Sequence, residues 1–237
     1  MSAWTSRSSF DAGPAWARSS ARVNNWLRHR FAKPLVFGLA LMPLGWLLIA
    51  ALTDQLGANP AEALIRSVGD WTLRFLCLVL AVTPLRLITG MPALARFRRM
   101  LGLFVYFYAF IHLLSYSGFD MGFEVAEIAK DIAKRPFILV GFSAFLLLTA
   151  LALTSFNRAI KALGAKRWQQ LHQLVYVVAG LAILHFFWMR SGKNDFAEVA
   201  VYAVILGTLL GWRLIRRLGS GPSARTASAA QSSRAGE

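Results

Sequence analysis

The chain has 237 residues, of which 57% are hydrophobic and 16% charged, with 26 Lys and Arg against 11 Asp and Glu, a formal net charge of +15. This apolar content excludes a disordered polycation and an ordinary basic nucleic-acid-binding protein, which would be richer in charged residues. The single cysteine, Cys77, excludes a disulfide framework or a thiolate cluster within the chain and is expected to be a packing residue. The composition therefore indicates a polytopic membrane protein, with membrane lipid as its surroundings and no nucleic-acid partner.

Six apolar segments, each bounded by charge, Gly or Pro, are long enough to cross a bilayer as helices: 35–52, 68–88, 101–117, 137–156, 171–189 and 196–215. The first is predicted to be an uncleaved span, because its core exceeds that of a signal peptide, although Ala61-Glu62-Ala63 resembles a cleavage site. We predict an all-α integral membrane protein, a six-transmembrane-helix bundle over residues 35–217. A basic segment, 1–34, precedes it and a tail, 218–237, follows. Residues 2–20 and 219–237 are rich in Ser, Ala, Gly and Arg and are predicted to be disordered.

Positive charge alternates along the segments between the predicted spans. One side of the membrane holds 19 Lys and Arg residues and the other holds six. The positive-inside rule places the basic side, and with it both termini, in the cytoplasm. Nine of the 11 carboxylates lie on or near the outer side, so the cytoplasmic face carries +17 and the outer face −3, and Arg74 within the second span supplies the remaining charge.

The longest outer segment, 118–136, spaces apolar residues among charged ones at helical intervals. These are Phe123, Ile128 and Ile132 among Glu124, Glu127, Asp131 and Lys134. The pattern fits a short amphipathic helix at the membrane interface, and a solvated loop fits equally well. The length and acidity of this segment also suggest a docking surface for a partner protein.

Three of the four histidines, His112, His172 and His185, lie in or at the ends of apolar spans. An imidazole in lipid is costly unless it is paired or liganded, so each is a candidate functional residue. The alternative for each is an interhelical hydrogen bond or a ring that reaches the membrane interface.

The depths of two histidines sharpen this prediction. His112 precedes Gly118 by six residues and His185 precedes Arg190 by five, which puts both rings about 8 to 9 Å below the outer helix ends. Two imidazoles at one depth on two parallel helices suit a bis-histidine haem between spans three and five, with His112 and His185 as axial ligands of the iron. A zinc or non-haem iron site would need further ligands, which these spans lack.

Two other residues are candidates for the same chemistry. His172 lies about 20 Å deeper than His185 and could serve a second haem, a flavin or a quinone, or simply reach the cytoplasmic interface. Arg74 lies at the predicted haem depth and is a candidate partner for a haem propionate, unless Asp70 one turn away neutralises it.

Cationic side chains cluster on the cytoplasmic side before spans three and five. Among them are Arg98, Arg99, Lys166 and Arg167. Topogenic charge explains them without a ligand. The same cations would also suit the phosphate of flavin mononucleotide (FMN) or an acidic partner surface.

Two sequence motifs accompany these histidines. Residues 98–103 read RRMLGL and lead to Ile111-His112, and residues 168–176 read WQQLHQLVY and lead to His185. Together they resemble the ferric-reductase-like transmembrane domain family, over roughly residues 33–218. Within that family the similarity is to the short bacterial branch, the haem-binding membrane subunits of protein-methionine-sulfoxide reductase systems.

The resemblance implies a six-span b-type cytochrome of the bacterial inner membrane. Such proteins take electrons from the quinone pool, with quinol as donor, or from a cytoplasmic flavin reductase. They pass them to a periplasmic molybdopterin enzyme that reduces methionine sulfoxide in damaged proteins. Family members are ascribed haem b and also FMN.

The chain departs from the wider family at two places. Oxidase and ferric-reductase members carry a second histidine on the third span, where this chain has Arg98, which disfavours a second haem with two axial histidines. Those members also continue into a cytoplasmic flavin and nicotinamide domain, whereas this chain ends about 20 residues after Arg217, so a separate electron donor is expected.

Two other functions remain open on the sequence. A protein of the same fold could reduce metal ions, oxygen or another small acceptor. A non-redox six-span transporter or assembly factor could use the histidines structurally or as proton relays.

Overall fold

The computed structural model describes residues 15–192 and 194–219, and the regular elements over these residues are helices. They are α1 (Ala15–Arg28), α2 (Ala32–Leu52), α3 (Pro60–Thr89), a 3₁₀ helix (Pro92–Phe97), α4 (Arg98–Ser115), a π-helical segment (Tyr116–Asp120), α5 (Val125–Lys134), α6 (Pro136–Leu153), α7 (Asn157–His172), α8 (Val175–Ser191) and α9 (Ala197–Gly219). Six stretches are long and apolar enough to cross a membrane. The predicted all-α, multi-pass membrane class is therefore confirmed.

The second span begins earlier than its apolar pattern suggests. α3 starts at Pro60 because the Asn59 side chain accepts a hydrogen bond from the Glu62 N–H at 3.2 Å, and proline fits the first helical turn. Ala61 and Ala63, which resemble a cleavage site in the sequence, thus lie in the first turn of a capped helix.

The two ends of the chain contain more helix than predicted. Residues 15–20 belong to α1, so the prediction of disorder over 2–20 is wrong for them. α1 is held in place because Asn24 Oδ1 accepts a hydrogen bond from the Ala93 N–H at 3.0 Å. In the predicted tail, 218–237, the first two residues complete α9. The rest of both predicted tails lies outside the described residues.

The fifth span is interrupted. α7 ends at His172 and α8 begins at Val175, while Gly164 within α7 has a left-handed φ of 74° that kinks the helix. The predicted segment 171–189 therefore contains the last two residues of α7, the break at 173–174 and most of α8. His172 and His185 do not share one continuous helix.

The bundle contains two closely packed helix pairs. We call α3 with α4 the first half and α6 with α8 the second half. The first half supplies most of the fully buried side chains: Val68, Leu76, Leu80, Val105 and Tyr108. Cys77 is half-buried on α3, packed against this core, which fits its expected packing role.

The hydroxyl of Tyr108 lies between two backbone groups of α2 and bonds to both. It donates to the Ala40 carbonyl at 2.8 Å and accepts from the Leu44 N–H at 3.2 Å, beside Pro43. In a regular helix those two backbone groups would bond to each other. Since unpaired backbone groups are costly in lipid, the inserted hydroxyl both satisfies the distorted turn and joins α2 to the first half.

Candidate functional site

A cavity of about 330 Å³ lies between the two halves of the bundle, at the end where α3 and α6 begin and α4 and α8 end. Its volume falls in the range of ligand pockets, about 300 to 1,000 Å³. His112 lines it from α4 and His185 from α8. Apolar side chains line the part farther into the bundle, among them Leu76, Val105, Phe145, Leu148 and Val178.

His112 is seated against the start of α3. Its Nδ1–H donates to the backbone carbonyl of Ile65 at 2.9 Å. One turn later Gly69 faces the ring, and a Cβ at that position would lie 3.1 Å from the His112 Nδ1 and Cε1 atoms. Glycine therefore lets the imidazole approach the backbone of α3 closely.

His185 is seated against the start of α6 in the same way. Its Nδ1–H donates to the carbonyl of Phe137 at 2.7 Å, and a Cβ on Gly141 would lie 2.7 Å from Nδ1. In both halves a backbone carbonyl and a glycine four residues later contact one histidine ring, and we call these two contacts the seat of that histidine. The seat of His185 is the tighter of the two.

The hydrogen bonds determine which ring nitrogen can bind a metal. A carbonyl oxygen only accepts, so Nδ1 carries the hydrogen in both His112 and His185. In a neutral imidazole the lone pair then lies on Nε2, the form that ligates metals, and a second partner on Nδ1 fixes the orientation of the ring.

The separation of the rings fits one metal ion between them. The ring centroids of His112 and His185 are 6.3 Å apart, with the ring planes at 78°. Two metal–nitrogen bonds of about 2 Å, together with the distance from each nitrogen to its ring centre, span about 6 Å. Within the described residues no group of three or more His, Cys, Asp or Glu side chains is placed to hold a metal. The pair suits a metal that brings its own equatorial ligands, as haem iron does.

The structure does not bring His172 or Arg74 into this cavity. The His172 ring packs edge-on against Trp168, with centroids 4.0 Å apart, at the end of α7. Arg74 Nε donates to the Tyr202 hydroxyl on α9 at 3.1 Å, and its guanidinium lies 4.6 Å from the centre of the Trp71 ring. Asp70, one turn before Arg74, does line the cavity.

The predicted cationic cluster lies at the opposite end of the bundle. Arg99 donates from a terminal nitrogen to Asn157 Oδ1 at 2.7 Å, which joins the start of α4 to the start of α7. Arg98 is exposed at the start of α4, and Lys166 and Arg167 are exposed on α7. Their assignment to a flavin phosphate remains a prediction.

Segment 118–136 contains the helix predicted for it. α5 covers part of the cavity, because Ile132 lines it, and the Tyr116 hydroxyl donates to Asp131 Oδ2 at 2.6 Å. The alternative of an irregular loop is wrong for Val125–Lys134. Its location at the membrane interface remains a prediction.

Several residues of the site were not predicted from the sequence. The carbonyls of Ile65 and Phe137 have no side-chain signal, whereas Gly69 and Gly141, each four residues later within an apolar span, were visible but unassigned. Two arginines also line the cavity, Arg66 and Arg135. Each follows an acidic residue by four positions, and this spacing repeats in both halves.

The fold and the site together define a multi-pass helical membrane protein with a paired-histidine cavity inside its bundle. Residues 68–183 match the family described as "Ferric reductase like transmembrane component". That match extends from α3 into α8 and so includes His112.

Individual proteins similar to this chain specify a branch within this family. The chain is 74% identical over 189 residues to "Protein-methionine-sulfoxide reductase heme-binding subunit MsrQ" of Polaromonas naphthalenivorans, covering 80% of this chain and 86% of the relative. Proteins of the same name from Herminiimonas arsenicoxydans and Bordetella pertussis are 54% and 47% identical, over 75% and 86% of this chain and 82% and 94% of the relatives. The chain therefore belongs to the MsrQ family of ferric-reductase-like transmembrane proteins.

Proposed function

We propose that the protein is a b-type cytochrome subunit of the bacterial inner membrane. It would pass electrons from the quinone pool, or from a cytoplasmic flavin reductase, to a periplasmic molybdopterin-dependent methionine-sulfoxide reductase, and so support repair of oxidised periplasmic proteins. Relatives that are named heme-binding subunits of a protein-methionine-sulfoxide reductase support the proposal.

One observation of the structure carries this proposal. His112 and His185 face one cavity at 6.3 Å between ring centroids, and each has its Nδ1–H engaged by a backbone carbonyl. Their Nε2 atoms would hold the iron of haem b. When bound, haem supplies the one-electron chemistry.

The residues around the cavity would orient the ligands and exclude water. The carbonyls of Ile65 and Phe137 fix the ring orientations, and Gly69 and Gly141 leave room for the rings. The apolar lining keeps the local dielectric low, which is one of the ways a protein sets a redox potential.

The position of the cavity suits electron delivery to the periplasm. With both termini in the cytoplasm, as the charge distribution favours, the end at which α3 and α6 begin faces outward. The segment 118–136 would then form the docking surface for the periplasmic partner, with Glu124 and Glu127 exposed on it.

Electrons would enter at the opposite end. His172, half-buried at the end of α7, and the exposed cations Arg98, Arg99, Lys166 and Arg167 lie there. Quinol, FMN or the surface of a flavin reductase would be recognised by these residues.

The decisive experiment is a reduced-minus-oxidised spectrum of the purified protein, with haem counted per chain. We expect a b-type spectrum in the wild type and loss of most haem in His112→Ala and His185→Ala. His29→Ala is the matched control, because His29 is exposed at the opposite end of the bundle. A wild type without a Soret band would favour a non-redox membrane protein, and a Soret band unchanged in both cavity variants would refute His112 and His185 as the ligands. His172→Ala, with haem counted in the same way, shows whether a second haem is present.

A second experiment identifies the donor and the acceptor. Reduced quinone and a flavin reductase with nicotinamide cofactor are each offered to the oxidised protein. A periplasmic methionine-sulfoxide reductase and a ferric chelate are each offered to the reduced protein. Reoxidation by the chelate and not by the reductase would favour a metal reductase instead.

A further inference from the structure

We propose that Arg66 and Arg135 bind the two propionate carboxylates of haem at the mouth of the cavity. This assignment rests on the proposed function, since it requires haem between His112 and His185. It replaces a candidate chosen from depth in the membrane, Arg74, with two cations chosen from their position in the structure.

The cavity is polar at one end and apolar at the other. Along α3 its lining changes from Glu62 and Arg66 near the helix start to Leu73 and Leu76 farther along. Along α6 the lining runs from Phe137 to Leu148, and Arg135 lies just before the helix. Haem has the same asymmetry, an apolar macrocycle with both carboxylates on one edge, so that edge would turn toward the polar mouth.

The two arginines are anchored to the same backbone as the histidine seats. Arg66 follows Ile65, whose carbonyl binds His112, and Arg135 precedes Phe137, whose carbonyl binds His185, by two positions. Each half of the bundle therefore offers one imidazole and one guanidinium to the same cavity. Two cations from two sides match two carboxylates on one edge.

Each guanidinium is already oriented by a carboxylate one turn earlier. An Arg66 terminal nitrogen contacts Glu62 at 2.5 Å, and Arg135 Nε contacts Asp131 Oδ1 at 2.8 Å. The Arg135 pair leaves its two terminal nitrogens for other acceptors, since a guanidinium has five N–H donors. The side chains are 26% and 55% exposed, as expected at a mouth between apolar lining and water.

Charges of both signs line the cavity, and only the cations among them can bind a carboxylate. Glu62, Asp70 and Asp120 also line the cavity and would repel a carboxylate. In the described part of the chain, Arg66 and Arg135 are the Lys or Arg side chains that line it. A propionate there would need their donors.

The test measures how fast haem leaves the holoprotein. Wild type, Arg66→Gln, Arg135→Gln and the double variant are mixed in detergent with excess apomyoglobin, and haem transfer is followed in the Soret region. We expect each substitution to speed transfer by about tenfold, the loss of one charge-assisted contact. Arg74→Gln is the matched control, because it removes the same charge from α3 outside the cavity, and its transfer rate should equal that of the wild type.

Haem dimethyl ester, which lacks the carboxylates, separates direct binding from general loosening of the bundle. It is loaded into the same proteins made in haem-deficient cells. We expect the ester to leave the wild type faster than haem does, and to leave wild type and double variant at the same rate. Equal acceleration of haem and ester by the substitutions would overturn the assignment.

Two further outcomes keep this proposal apart from the proposed function. If a glutamine variant does not fold, Arg66→Lys with Arg135→Lys is used instead, because it keeps both charges. The ester should leave this double variant faster than haem does, and equal rates would contradict the assignment. A wild type that binds no haem would refute the proposed function itself. A wild type that binds haem and ester equally well would refute only the role of the arginines.

Discussion

The two halves of the bundle hold their histidines through the same kinds of contact. In the first half Ile65, Gly69 and Arg66 on α3 accompany His112, and in the second half Phe137, Gly141 and Arg135 at the start of α6 accompany His185. The ring that faces the cavity always belongs to the neighbouring helix of the pair. The sequence has no evident internal repeat, so the likeness lies in the arrangement of a few contacts and not in residue identity.

The halves differ in how the rest of the protein supports them. The first half is tied to α2 through Tyr108 and to α9 through Arg74 with Tyr202, and Arg213 of α9 donates to the Leu80 carbonyl. The second half contacts α9 near both ends of α8: Arg190 contacts Glu198 at 2.6 Å, and Arg213 and Arg217 lie over the ring of Tyr176. A ligand seat thus depends on contacts within one helix pair, whereas the stability of that pair depends on the surrounding bundle.

The largest expected effect tests whether the halves are equivalent. His112→Gly and His185→Gly should each lose most of the bound haem and the low-spin spectrum of the remainder, because one axial ligand is gone in either case. Free imidazole should restore part of both spectra by filling the space left by the ring. If only one variant lost its haem, the two histidines would not be a ligand pair.

A smaller effect should distinguish the two seats. An alanine Cβ would lie 2.7 Å from His185 Nδ1 in Gly141→Ala but 3.1 Å from His112 Nδ1 in Gly69→Ala. Displacing a packed ring costs about 1 to 3 kcal/mol, so haem should leave Gly141→Ala faster than Gly69→Ala, and both faster than wild type.

The matched control for the glycines is Gly180→Ala on α8, where an added Cβ meets nothing within 4 Å. It should retain haem as the wild type does. Faster loss of haem from Gly69→Ala than from Gly141→Ala would show that the closer contact at Gly141 does not control how firmly haem is held.

The contact of the first half with α2 predicts a variant in which the free energy of unfolding changes and the haem site does not. Tyr108→Phe leaves the Ala40 carbonyl and the Leu44 N–H without the hydroxyl between them, which should cost about 1 kcal/mol. Unfolding in detergent would measure this loss, while the haem spectrum should not change. Tyr106→Phe is the control, since the ring of Tyr106 stacks on Phe145 and phenylalanine retains that contact. A shifted spectrum in Tyr108→Phe would instead couple α2 to the ligand seat.

The smallest effect concerns the segment 118–136, which connects the halves. Glu124→Lys with Glu127→Lys should weaken docking of the periplasmic partner a few-fold at low salt, because exposed charges steer association but add little affinity. The measurement is the rate of partner-dependent reoxidation across salt concentrations. Asp54→Lys, an exposed charge reversal between α2 and α3, is the control. Equal rates in all three proteins would remove the support for this docking surface.

Much of the fold and part of the site followed from the sequence. Apolar length predicted six spans, and counting residues to the outer span ends placed His112 and His185 at one depth, where the structure brings their rings to 6.3 Å. Arg74 has the same predicted depth but contacts Tyr202 and Trp71 away from the cavity. Depth follows from position along a helix, whereas the direction in which a side chain points depends on how the helices pack.

The sequence by itself determined that the chain is a helical membrane protein, because lipid requires long apolar helices whose backbone groups bond internally. It also determined which histidines share a level, because the rise per residue is fixed. Only the tertiary structure decided that a carbonyl and a glycine of a neighbouring helix hold each ring, and which arginines reach the cavity. Those contacts join residues on different helices. Their geometry depends on how the helices cross and rotate against one another, which the apolar pattern of a single segment does not specify.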